Sequence, residues 1–72
     1  MAYSREQVAE NLRALRARRN IRQVDVADAA GVSTVSVCSW ESGETGMTLD
    51  NAVKIADYYE VSLDELAGRE RA

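Results

Sequence analysis

The apolar positions of this chain fall into five groups, each with helical spacing. Val8, Leu12 and Leu15 stand at i, i+4 and i+7, a single stripe on one helix. Ser4 and Gln7 form an S-x-x-Q capping box that starts it. Arg18, Arg19 and Asn20 close it, where cations suit the negative end of the helix dipole. Ile21 is the expected apolar plug of the loop. A second helix opens at about Gln23 and turns Val26, Ala27 and Ala30 inward. The small residues Ala27, Ala29 and Ala30 let a neighbouring helix approach closely. Gly31 is placed to end it in the left-handed conformation, and Val32 to pin the turn to the core. Ser33 caps a third helix. That helix buries Val37 and Trp40, three apart on one face, and leaves Thr34, Val35, Cys38 and Ser39 outside. Gly43 stops it after Glu41 and Ser42. Thr48 caps a fourth helix, whose expected apolar face is Leu49, Ala52, Val53, Ile55, Ala56 and Tyr59. Val61 is expected to be buried in the turn that follows. Ser62 and Glu65 make a second capping box, for a fifth helix with Leu63 and Leu66 packed inward. Gly68 ends it, and residues 69–72 should fray.

Composition narrows the fold class. The chain has no Pro and four Gly in 72 residues, which favours an all-α fold. Its length suits one domain over 1–72, with a core from about 4 to 68. No His and a single Cys38 exclude an internal disulfide and argue against a protein-held zinc site or a Ser-His-Asp or Cys-His centre. No metal, no cofactor and no catalytic constellation are expected. Neither an apolar signal core nor a run of the roughly 20 apolar residues of a membrane span is present. A cytoplasmic location is the expectation.

Charge is unevenly placed. The net value is −3. Residues 1–22 hold six Arg against Glu6 and Glu10, a balance of +4. Residues 23–72 hold Lys54, Arg69 and Arg71 against ten acids, a balance of −7. A basic first helix beside an acidic body is able to present one positive face; a solvated helix surface is the plainer reading.

Gln23 at the start of the second helix, Ala27, Gly31, the S-x-x-S-V run from Ser33 and the W-E-S-G close from Trp40 together resemble the phage-repressor type helix-turn-helix domains, the Cro/CI-like or XRE family. The resemblance extends from about Val8 to Gly68. It includes I-A-D-Y-Y-E-V-S-L-D-E-L, which is similar to the family's fourth and fifth helices. It implies five short helices in a compact lambda-repressor-like domain, with the helix-turn-helix at the second and third. It also implies a sequence-specific DNA-binding transcriptional regulator whose third helix enters the major groove of double-stranded DNA. A homodimer is implied, at least on DNA. The alternative is an interaction module, such as an antitoxin or anti-repressor, that keeps the fold without DNA contact.

The resemblance also supplies candidate residues. Gln23 matches a phosphate-binding position, and Arg22 beside it is within reach of a phosphate. Thr34, Val35 and Ser39 match positions that reach base edges, with Val35 suited to a thymine methyl. Ser33, Cys38 and Ser42 complete the candidate DNA-binding set. The family often has Gln, Arg or Lys where this chain has Thr34 and Ser39, so no bidentate guanine or adenine contact is available here. Arg16 and Glu41 match a structural ion pair, and Tyr58 a dimer contact. Three departures stand out. Arg22 replaces the usual Ser or Thr cap of the second helix, with Gln23 and Asp25 placed to compensate in part. Glu44 occupies a loop that is usually basic. Glu60 stands where a left-handed Gly is usual, at an expected strain of about 1 kcal/mol.

Overall fold

The computed structural model describes residues 4–68, so the expected fraying of 69–72 lies outside the described residues. Five helices follow one another: α1 (Arg5–Arg19), α2 (Gln23–Ala30), α3 (Thr34–Ser42), α4 (Leu49–Tyr59) and α5 (Leu63–Ala67). Among the described residues no strand interrupts them, and no helix is long and apolar enough to cross a membrane. α3 packs against α1 and α2, α4 against α2 and α5, and α5 returns to α1. The closed circuit leaves the outer side of α3 uncovered.

Local chemistry fixes where each helix begins. The hydroxyls of Ser4, Ser33, Thr48 and Ser62 each accept the backbone N–H three residues on, satisfying one of the orphan donors of a helix start. Of the two expected capping boxes only this forward arm forms. The Gln7 amide donates instead to Asn11 Oδ1 at 3.1 Å, one turn ahead. At α2, where Arg22 has no side-chain acceptor, Asp25 Oδ2 takes the Arg22 backbone N–H at 2.9 Å. That hydrogen bond is the main reason the Asp25 carboxyl is held below its usual range. Gly31 lies between α2 and α3 at φ 69°, a conformation that sets the angle of the turn and costs glycine little.

The core is Val8, Leu12, Leu15, Val26, Ala27, Ala30, Val37, Trp40, Ile55, Ala56, Tyr59 and Leu66, with Ile21, Val32, Met47, Ala52, Tyr58 and Val61 packed at its edge. Each fully buried Val, Leu or Ile contributes on the order of 1.5–3 kcal/mol. Several expectations need correction. Ala29 is exposed, and the small residues of α2 that are buried are Ala27 and Ala30, beside Val26. Val61 is half-buried. Leu49 is 70% exposed, Val53 40% and Leu63 41%. Leu49 and Leu63 are the first residues of their helices, directly after the caps, and project before the packed face begins. Val53 is one turn beyond Leu49 on the same outer stripe, while α4 packs through 52, 55, 56 and 59.

Around Tyr59 the packing is dense and polar at once. The Tyr58 and Tyr59 rings meet edge-on with centroids 5.2 Å apart. The Arg19 guanidinium lies 5.8 and 5.6 Å from the two ring centres and donates to the Tyr59 carbonyl at 2.9 Å. The Tyr59 hydroxyl is buried and makes no hydrogen bond among the described residues. Its pKa is pushed up to about 12, first by burial and then by the nearby Glu41 and Tyr58.

Two stability outcomes follow. Tyr59→Phe should be neutral or stabilising by up to about 1 kcal/mol, since it removes a buried group with no partner. The folded pKa lies above the unfolded value near 10, so this group's contribution is complete below pH 10 and is lost as pH rises towards 12. Urea melts of both proteins across that window should show a shallower alkaline loss for the variant. Glu60 sits at φ 58°, and its 3.6 Å pairing with Arg19 is exposed. Glu60→Gly should therefore raise stability by about 0.5–1 kcal/mol, read as a higher Tm; a lower Tm would show that the left-handed turn carries no strain.

Candidate nucleic-acid interface

α3 is fixed at both ends and along its inner face. At its start Ser33 Oγ accepts from the Ser36 N–H at 3.2 Å and lies 3.2 Å from the Ser36 hydroxyl. The turn before it is tied to α2 by the Val32 N–H on the Ala27 carbonyl at 3.0 Å. Val37 and Trp40 anchor the inner face in the core.

Glu41 anchors the far end. It is 5% exposed, and among the described residues no other charged side chain is buried. Arg16 Nε donates to both of its oxygens, at 2.8 and 3.1 Å. Gln23 Nε2 donates to Oε1 at 3.2 Å. The same arginine gives Nη1 to the Ile21 carbonyl at 3.0 Å. One carboxylate thus links α1, the following loop, α2 and α3. The Arg16 pKa is raised, chiefly by its hydrogen bond to Glu41 and against the opposing effect of burial.

Two further arginines hold this end of α3, and neither was singled out from the sequence. Arg13 donates to the Glu41 carbonyl, one of the carbonyls that a helix C-terminus leaves unpaired. Its position three residues before Arg16, on the same side of α1, is the signal that could have marked it. Arg5 Nη1 donates to the Glu44 carbonyl at 3.0 Å. Nothing local in the sequence indicates that contact, which needs the start of α1 to pass beside the loop after α3.

The outer face carries the remaining candidates. Ser33, Thr34, Val35, Cys38 and Ser42 are exposed and Ser39 is half-buried; Val35 is the most prominent apolar group, at 74% exposure. Ser42 Oγ donates to the Ser39 carbonyl at 3.0 Å. Ser39 Oγ donates to Glu44 Oε1 at 3.4 Å. At the start of α2, Arg22 is exposed and lies 3.5 Å from Asp25. Gln23 is half-buried, with its amide turned to Glu41. An amide nitrogen has two hydrogens, so one remains for another acceptor. Tyr58 is half-buried under Arg19.

A helix-turn-helix family model matches residues 12–66, from α1 through α5. The chain belongs to the helix-turn-helix family. Solved structures agree. A transcriptional regulator from Listeria innocua superposes with TM-score 0.83 at 31% identity, over 90% of this chain and 61% of that one. The P22 c2 repressor protein, solved in complex with a synthetic operator, gives TM-score 0.83 at 30% identity over 88% and 96% of the two chains. The restriction-modification controller protein C.AhdI from Aeromonas hydrophila gives 0.80 at 26% identity over 86% and 94%. This chain therefore spans under two thirds of the Listeria protein and nearly all of the other two. No curated protein sequence matches significantly. In this helix-turn-helix chain the all-α class expected from the pattern, in the lambda-repressor-like arrangement that the resemblance implied, is the fold, with α2 and α3 as the motif.

The anchoring scheme has a direct test. Glu41→Gln should cost about 1–3 kcal/mol, because it leaves Arg16 without its carboxylate in a partly dry site. Glu44→Gln, on the wet loop, should stay within about 0.5 kcal/mol. Equal melting temperatures for the two variants would remove the ion pair as an anchor.

Proposed function

We propose that this chain is a transcriptional regulator that binds double-stranded DNA with α3 in the major groove. The observation that carries the reading is an α3 held rigidly by Ser33, Val37, Trp40 and Glu41 while its outer face is left uncovered. The relatives support it: two are described as a transcriptional regulator and a repressor, and the repressor was solved on an operator. In this reading Val35 meets a thymine methyl, and Thr34 and Ser39 hydrogen-bond base edges. Ser33, Cys38 and Ser42 line the same surface. Arg22 and the free N–H of Gln23 meet phosphates at the positive end of α2. The bond to Glu41 then orients Gln23, so anchoring of α3 and approach to the backbone share one residue. Two half-sites require two chains, so the protein acts as a homodimer at least on DNA, with Tyr58 as a candidate contact. The chemistry needs no cofactor and no metal, and the whole described chain serves as one binding domain.

Selection from random-sequence duplex DNA at two salt concentrations tests this. Wild type should enrich a two-fold symmetric site. Arg22→Ala should weaken binding evenly across sequences and lower the salt slope by about one. Val35→Ser should relax preference at one position by roughly 1 kcal/mol per half-site. Ser39→Glu should abolish binding in a protein that still melts cooperatively. Folded wild type that binds no DNA at low salt would end the reading and leave an interaction module in its place.

A further inference from the structure

We infer that Glu44, acting with Ser39, is a base-reading residue that selects cytosine at one position of each half-site. The inference rests on the DNA-binding reading above and extends it to a residue outside α3.

Glu44 is held unusually firmly for a loop residue. Its N–H donates to the Ser39 carbonyl at 3.1 Å and lies 3.4 Å from Ser42 Oγ. Its carbonyl accepts from Arg5 Nη1 at 3.0 Å. With the backbone fixed on both sides, the side chain folds back over α3, and Oε1 accepts from the Ser39 hydroxyl at 3.4 Å. The carboxylate therefore belongs to the same surface as Thr34, Val35 and Ser39, although it lies beyond the helix.

Chemistry then selects the base. A carboxylate only accepts hydrogen bonds, and Ser39, having given its proton to Glu44, is left with lone pairs. The pair is an acceptor-only surface. In the major groove guanine presents two acceptors, thymine an acceptor and a methyl group, and adenine an acceptor beside its amino group. Cytosine alone presents its amino donor with no neighbouring acceptor on the same base. The pair repels the acceptors of guanine and thymine and takes a hydrogen bond from cytosine N4. The negative charge also weakens approach to phosphates on every sequence. Glu44 thus lowers overall affinity while sharpening choice at one position. On a reading face without Arg, Lys or Gln, that is a large share of the hydrogen-bonding discrimination available.

The test is selection from a random-sequence duplex library with wild type, E44A, E44Q and S39A at one low salt concentration. Binding constants on the selected duplex and its single-base variants follow. All three variants change exposed or half-buried groups, and circular dichroism checks that each is folded. Wild type should enrich cytosine at a fixed position, with a preference of about fivefold to tenfold over the other bases. E44A should reduce that preference to about twofold or less and leave the thymine preference set by Val35 intact. E44Q, with an added donor, should bind more tightly overall and accept guanine or adenine at that position. S39A should weaken the cytosine preference in part. If wild type binds and selects a site while E44A and E44Q change affinity evenly at every position, Glu44 is only a repelling charge and the inference is wrong. If folded wild type selects no DNA at all, the function proposed above fails first and this inference falls with it.

Discussion

A buried carboxylate with no neutralising partner is among the most costly groups a small domain can contain. Glu41 sets that constraint here. Its burial is tolerable only because Arg16 meets both oxygens, Gln23 donates a further hydrogen and Arg13 occupies the neighbouring carbonyl. Those partners come from α1 and α2, so α3 cannot shift along its axis or roll without uncovering the charge. An apolar side chain at 41 would bury similar area but specify the position of α3 less sharply, because dispersion contacts have no direction. For a helix whose outer face reads a surface, fixed position matters more than added stability.

The same geometry alters how the net charge is understood. Six arginines in the first 22 residues suggest a basic face. Most are committed within the fold. Arg5, Arg13 and Arg16 hold the end of α3 and its loop, Arg19 covers Tyr58 and Tyr59, and Arg22 lies beside Asp25. Among the described residues Arg18 makes no hydrogen bond or ion pair. The cations of α1 thus serve mainly to neutralise the negative end of α3 and its acids. In the DNA-binding reading proposed above, electrostatic attraction to phosphates is correspondingly modest, and hydrogen bonds and apolar contacts carry more of the binding.

What the sequence disclosed divides by range. Features that depend on a few adjacent residues were readable: the caps at Ser33, Thr48 and Ser62, the left-handed stops at Gly31, Gly43 and Gly68, and the burial of Val37 and Trp40 three apart. The partnership of Arg16 with Glu41, 25 residues away, came from resemblance and not from local pattern. Arg13 on Glu41 and Arg5 on Glu44 were not readable, because each depends on where one helix end lands on another. Leu49, Val53 and Leu63 are apolar and yet exposed. Apolar character states a preference for burial, but helix phase and distance from the cap decide whether a position has anything to bury against.

The loop after α3 joins these points. Read as sequence, Glu44 is a deficit, an acid where a cation would clasp phosphate. In the fold it is fixed by Arg5 on one side and by the C-terminal turn of α3 on the other, with its carboxylate beside Ser39. Flexible surface acids lose side-chain entropy when they make a contact, and that loss offsets most of the gain. A carboxylate whose side chain is already held, as Glu44 is by the Ser39 hydroxyl, loses less. The arginine that fixes it comes from the first turn of α1, so the first and third helices, joined through Glu41 in the interior, are joined again at the reading surface. The same arrangement that anchors α3 thus brings an acceptor to its rim; in the inference drawn above, a difference between bases, and not attraction to the backbone, is the quantity that acceptor changes.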